Sequence, residues 1–328
     1  MVNPSHLKNL VNRLPKARVL VIGDLILDEF IWGDVERISP EAPVPVVWVK
    51  SESFMPGGAS NVASNLRALG ATPFLCGIVG KDERGKLLQQ ELQKRGIDTG
   101  GLILDGERPT TMKTRIVAHH QQVVRVDREK TSEINGNILE QILAYIRKQM
   151  EKIDALLIED YGKGVISARL IQEVVSMAKA NKKIISVDPK ENHFDYYQGV
   201  TVITPNHHEA GNAVGIKVNG DESLHRVGKE LLKLLKCDSV LITVGENGMC
   251  LFETKGKVTD IPTVAQEVFD VSGAGDTVIA VLTAALSVGA TVEQAARISN
   301  FAAGIVVGKI GVAVATPDEL IERIGRKP

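Results

Sequence analysis

Apolar residues along this chain gather in short runs that end in an acid, a glycine or a proline. "ARVLVIGDLILDEF" reads as a buried strand closing on acids. "TPFLCGIVG", "ALLIEDY", "KIISVDP", "VTVITPN" and "SVLITVG" also read as strands. Between them lie helical stretches: "DERGKLLQQELQKRGI", residues 134–153 and residues 167–181. "GGASNVASNLRALG" reads as a glycine turn entering a helix. Near the end, Thr291 with Gln294 and Thr316-Pro317 with Glu319 have the spacing of capping boxes that open helices. Strands alternating with helices predict a mostly parallel sheet covered on both faces.

Two stretches, near 31–53 and 103–127, break that rhythm. One is punctuated by Pro43 and Pro45, which suit an edge strand; the other alternates polar and apolar residues. Neither fits inside a doubly wound sheet, so together they predict a small separate sheet. No linker, repeat or low-complexity tract divides residues 1–328, and one domain is expected.

Bulk properties narrow the function. The 328 residues include 39 basic and 40 acidic side chains, for a net charge of −1, which gives no electrostatic footprint for nucleic acid. No apolar run reaches membrane-spanning length and the N-terminus lacks a signal-peptide pattern. Cys76, Cys237 and Cys250 have no CxxC spacing, as expected of reduced core thiols. These features together predict a cytoplasmic protein with no nucleic-acid or membrane partner.

In α/β sheets ligands bind outside the carboxyl ends of the strands. The polar residues expected there are Asp24 and Asp28, Gly57-Gly58, Asp160, Asp188 with Lys190, Asn206 with Glu209, and Gly245. "VSGAGDTVIA" adds Gly273, Ala274, Gly275 and Asp276 at a helix start. Asp276 there could simply favour the helix dipole. The preceding Gly-Ala-Gly suggests more, because small residues leave amides uncovered at an anion site. Asn206 and Glu209, one helical turn apart, could cap a helix or supply hard oxygens to Mg²⁺. His207 and His208, adjacent on a helix, should point apart and be solvated. "GKDERGKL" imitates a P-loop, but Leu87 stands where a hydroxyl would hold Mg²⁺.

"PGGASNVASNLRALG" and "DVSGAGDTVIAVLTAAL" resemble the two signatures of the ribokinase-like (PfkB) carbohydrate kinases, and the resemblance covers nearly the whole chain. "RISPEAPVPVV", "HHQQVVRVDRE", "EDYGKG", "ITPNHHEA" and "QEVFDVSGAGDTV" are most similar to bacterial D-glycero-β-D-manno-heptose-7-phosphate kinases. Many of those are fused to a nucleotidyltransferase; a chain ending at Pro328 looks like the stand-alone form. The resemblance implies a three-layer α/β/α fold with a small β-sheet lid that often also makes a homodimer contact. Val44, Val46 and Trp48 would then be interface residues.

It also implies an ATP- and Mg²⁺-dependent transfer to the anomeric hydroxyl of heptose 7-phosphate, feeding lipopolysaccharide core synthesis. By the same resemblance Asp276 is the catalytic base, and the amides near Gly273, Ala274 and Gly275 form the anion hole. Asn206 and Glu209 organise the metal and the ATP phosphates, and Lys190 reaches a phosphate. Thr243, Gly245 and Gly248 line the nucleotide side, with Asn300 near the adenine. Asp24, Gly57, Gly58 and Asn61 bind sugar hydroxyls, joined by Asp28 and Asp160. A substrate already bearing a phosphate needs cations: Lys113, Arg115, Arg125 and Lys163 are candidates, with Arg125 and Lys163 favoured. A kinase of the same fold for another sugar, or an inactive sugar sensor, are the alternatives.

Overall fold

The computed structural model describes residues 3–119, 121–265, 267–309 and 311–325. Helix α1 (Pro4–Val11) precedes strand β1 (Arg18–Gly23). The chain then leaves in a long β2 (Leu25–Ile38) and doubles back as β3 (Pro45–Gly58). Helix α2 (Ala59–Ala68), β4 (Thr72–Gly80), α3 (Glu83–Lys94) and β5 (Asp98–Asp105) follow, and then the hairpin β6 (Met112–Ala118) and β7 (Gln121–Arg128). A helix–strand alternation comes next: α4 (Gly136–Gln149), β8 (Ala155–Glu159), α5 (Ala168–Ala180), β9 (Ile184–Asp188) and β10 (Val202–Ile203). It continues through α6 (His207–Val214), α7 (Asp221–Leu235) and β11 (Ser239–Thr243) to an edge hairpin, β12 (Met249–Glu253) and β13 (Val258–Ile261). Helices α8 (Ala274–Ser287), α9 (Val292–Val306) and α10 (Pro317–Gly325) close the fold.

Nine strands form the main sheet in the order β13-β12-β11-β10-β9-β8-β1-β4-β5, parallel apart from β12 and β13. Alternation within the strands explains the two helical layers. Val19 and Val21 of β1 enter a core shared with α1, α2, α8, α9 and α10, whereas Leu20 and Ile22 enter one shared with α4, α5 and α7. Strand order reverses between β1 and β8, so a crevice opens beyond their carboxyl ends.

The small sheet has the order β3-β2-β6-β7, antiparallel except where β2 runs beside β6. Its strands differ from the sequence boundaries at two places. Residues 103–105 belong to β5 on the main sheet, which ends before the chain crosses to Met112. Gly57 and Gly58 are not a turn but the last residues of β3, paired with Ile26 and Leu25. The close approach demands glycine at Gly58, where φ is 54° and a Cβ would lie 2.6 Å from the Asp24 carbonyl oxygen.

Both expected capping boxes form, at Thr291/Gln294 and at Thr316/Glu319. The P-loop imitation is an ordinary helix start, with Asp82 capping α3 through the Gly85 N–H at 2.8 Å. The three cysteines are buried and unpaired. No helix among the described residues is long and apolar enough to cross a membrane.

Candidate active site

Helix α8 points its first turn at the crevice. Gly273 caps it at φ 76°, a left-handed conformation that a Cβ would strain. A side chain there would also crowd the Asn61 amide. The N–H of Ala274 is directed at the Val271 carbonyl, 3.2 Å away. The amides of Gly273, Gly275 and Asp276 have no such partner among the described residues, as expected at a helix N-terminus.

Asp276 itself is buried, with one oxygen accepting from Asn61 Nδ2 at 2.6 Å and the other from Tyr161 Oη at 2.8 Å. Burial pushes its pKa up to about 6, and those two hydrogen bonds limit the rise. Asn61 is fixed by a relay: Thr277 donates to Asn65 Oδ1 at 2.9 Å, and Asn65 donates to the Asn61 carbonyl and side-chain oxygens. Asn61, expected on a sugar hydroxyl, also donates to the Asp276 carboxylate.

Asp24 and Asp160 are likewise occupied. Asp24 accepts the backbone N–H groups of Tyr161, Lys163 and Val165, holding the loop after β8 against β1. Burial raises its pKa to about 6 in spite of these bonds. Asp160 accepts from Gly162 N–H, His193 Nδ1 and Tyr197 Oη. These two acids shape the "EDYGKG" loop, and that loop delivers Tyr161 to Asp276.

Beneath it, Glu159 is fully buried, and neither of its carboxylate oxygens has a hydrogen-bond partner among the described residues. One oxygen each of Glu159, Asp188 and Asp276 lie within 4.8 Å of one another. Burial, then the Asp188 and Asp276 charges, push the Glu159 pKa well above the carboxylate range. Desolvation and Glu209 raise that of Asp188. A divalent cation suits such donors, hard oxygens with an unsatisfied buried member.

Asn206 and Glu209 form a capping box on α6: the Asn206 side chain accepts from His208 and Glu209 N–H, and Glu209 Oε2 accepts from Asn206 N–H at 2.9 Å. Burial raises the Glu209 pKa, and the charge of Lys190, whose stem lies by Gly162, limits the rise. His207 and His208 do not point apart. Their ring centroids are 3.9 Å from each other, because the first helical turn lets both rings lean together.

A cavity of about 420 Å³ adjoins the α8 N-terminus. Thr243, Gly245 and Gly248 from the β11–β12 turn, Asn300 from α9 and Ala274-Gly275 line it, with Val268, Val271, Val278 and Val307 as an apolar wall. Asn300 donates to the Pro262 carbonyl at 2.8 Å and so braces the β13 exit.

On the small sheet, Asp28, Lys113 and Asp127 stand in one cross-strand row, and Phe30, Arg115 and Arg125 in the next. Arg115 pairs with Asp28 at 2.5 Å and lies over the Phe30 ring. Arg125 pairs with Asp127 at 2.8 Å and Lys163 with Glu129 at 2.8 Å. Lys113 has only Asp127, 3.9 Å away. Each of the four candidate cations, the favoured Arg125 and Lys163 included, thus carries an acid partner, and that of Lys113 is the most distant.

Sequence reasoning missed Glu159 and Tyr161 as members of the site. Both lie within "EDYGKG", where a strand-end acid and an aromatic look ordinary until the loop folds over Asp276.

The family model described as pfkB family carbohydrate kinase matches residues 16–319. The chain belongs to this family of carbohydrate kinases. Among curated relatives, "Bifunctional protein HldE" of Helicobacter hepaticus is 45% identical over 319 residues, covering 97% of this chain and 66% of the relative. The protein of the same name from Geobacter sulfurreducens is 45% identical over 320 residues, covering 98% and 65%. The chain therefore spans a little under two thirds of the length of these relatives. Among solved structures, Arabidopsis thaliana ribokinase complexed with ribose and ATP superposes with a TM-score of 0.76 at 18% identity, covering 95% of this chain and 100% of that one. Escherichia coli phosphofructokinase-2, in complex with substrates and products, gives 0.75 at 16% identity, covering 94% and 98%. The expected three-layer fold with a small second sheet stands.

Proposed function

We propose that this chain transfers the γ-phosphoryl group of ATP to the anomeric C1 hydroxyl of D-glycero-β-D-manno-heptose 7-phosphate, giving the 1,7-bisphosphate. That product suits a route to ADP-heptose for lipopolysaccharide. The nucleotide fits the 420 Å³ cavity, with its apolar wall against the base and its phosphates toward the α8 amides. Asp276, within reach of both the crevice and those amides, takes the hydroxyl proton. The N–H groups of Gly273 and Gly275, without a backbone partner among the described residues, stabilise charge on the transferred group. Asn61 and Tyr161 hold the Asp276 carboxylate in place and keep it ionised near neutral pH. Glu159 and Asp188, with Glu209 near Asp188, would hold Mg²⁺, which neutralises phosphate charge.

One observation carries the choice of a phosphorylated sugar. The small sheet sets Arg115 directly opposite Arg125, with Lys113 in the adjacent row. Like charges facing each other across strands repel; Asp28 and Asp127 offset this pair, and a bound dianion would offset it further. Burial, with the smaller repulsion of Lys163 and Arg125, lowers the pKa of Lys113 against the pull of Asp127, and a bound dianion would oppose that lowering. The Asp28 end of this face approaches Asp276, so the sugar can span from the base to the cations.

The test compares heptose 7-phosphate with the unphosphorylated heptose. Charge-assisted bonds contribute roughly 1.5–3 kcal/mol, so Lys113→Ala or Lys163→Ala should raise KM for the phosphorylated sugar about 10- to 100-fold. KM for the unphosphorylated sugar should hardly move. A wild type that used both sugars equally would defeat the assignment.

A further inference from the structure

The edge hairpin and α7 bring together a second set of donors that the proposed reaction does not use. Cys250 on β12 stands directly opposite Asp260 on β13, and α7 lays His225 across both strands. One ligand atom from each of the three lies within 4.8 Å of the others. The Nε2 of His225 is buried without a hydrogen bond among the described residues; its nearest carboxylate oxygen is Asp260 Oδ1 at 3.5 Å. The imidazole is held edge-on to the buried Phe252 ring, at 6.0 Å and 81°, so its direction is set before any ligand arrives. Asp221, one helical turn before His225, lines the same 410 Å³ cavity as Cys250 and Asp260.

Asp260 pairs with His225 and accepts from the Cys250 thiol, so imidazole and sulfur converge on one carboxylate. Sulfur, imidazole and carboxylate together are the donor set of zinc-type ions, while Mg²⁺ and Ca²⁺ take oxygen alone. Zn–N and Zn–O bonds of about 2.1 Å call for a tighter cluster, and the Asp260 side chain, 70% exposed, is free to swing in.

We propose that His225, Cys250 and Asp260 form a binding site for a divalent transition-metal ion, Zn²⁺ in particular, with Asp221 or water as the fourth ligand. On binding, the metal–sulfur bond replaces the S–H bond and the thiol proton leaves to solvent, with no change of oxidation state. The bound ion clasps α7 to the open edge of the sheet, one residue before the Ile261-Pro262 exit that Asn300 braces.

Co²⁺ reports this site by absorbance. Added to the chelator-treated chain, it should bind one equivalent, with a thiolate-to-cobalt band and tetrahedral visible bands, and Zn²⁺ should displace it. Cys250→Ser should lose the thiolate band. His225→Ala should weaken binding by more than about tenfold, the loss that even outer partners of a bound metal can cause. Asp260→Asn, at an exposed position that folding tolerates, should also weaken it. None of the three residues lines the nucleotide cavity, so the kinase turnover of the variants should match wild type. No saturable band in the wild type, or a band that survives in Cys250→Ser, would overturn the proposal.

Discussion

A carboxylate that must accept a proton near neutral pH has to sit where ionisation costs something, yet not so much that it stays protonated. Asp276 meets both conditions. Burial raises its pKa to about 6, and the Asn61 and Tyr161 hydrogen bonds pull in the other direction. Above pH 6 the ionised base is available; below it the rate should fall about tenfold per unit as the base protonates. Tyr161→Phe removes a donor that favours the charged form, so the acidic limb of the rate profile should move to higher pH. Asp276→Asn should retain the fold and lose about 10²–10⁴-fold in turnover, with the pH limb gone. A Tyr161→Phe profile coincident with wild type would mean that the phenol does not tune the base.

At the scale of elements, a helix start does two jobs at Asn206–Glu209. The box satisfies first-turn amides through Asn206 and closes back through Glu209 Oε2. Glutamine also completes a capping box, so Glu209→Gln should leave α6 and the melting temperature nearly unchanged. It does remove a charge from the carboxylate group around Asp188. The Mg²⁺ concentration for half-maximal rate should therefore rise roughly tenfold, equivalent to about 1.4 kcal/mol, with sugar KM unaffected. An unchanged Mg²⁺ requirement would reduce Glu209 to a cap. The sequence displayed this box openly, through Asn-x-x-Glu after a strand and a proline. It could not display the loop after β8. Asp24 and Asp160 read as sugar ligands because strand-end acids usually face the crevice; the hydrogen bonds they also accept from backbone N–H groups, His193 and Tyr197 appear only once the loop is folded. Periodicity reports which face is apolar; it says nothing about which polar partner an acid finds.

For the molecule as a whole, the alternation of short apolar runs with helical segments carried the parallel sheet, and the two departures from that rhythm carried the small one. The boundary near residue 103 was illegible because an edge strand of the main sheet, half covered by α3 and α4, has the same mixed polarity as a strand of the small sheet. The small sheet leaves a feature that the single chain does not explain. Trp48 is 62% exposed, with Ile38, Val44, Val124 and Val126 also uncovered, although Val46 is half-buried. Apolar residues exposed in such number on one small sheet mark a contact surface. We propose that it pairs with a second copy of the chain, which would also close the small sheets over the two crevices. Trp48→Asp would set a charge within that apolar contact and remove an aromatic anchor, a loss of roughly 2 kcal/mol or more. Sedimentation should show the dimer dissociation constant rising about 30-fold or more, while circular dichroism stays that of the wild type because Trp48 contributes little to the monomer core. A wild type that sediments as a monomer at all concentrations, or a variant dimer as tight as the parent, would place the function of this surface elsewhere.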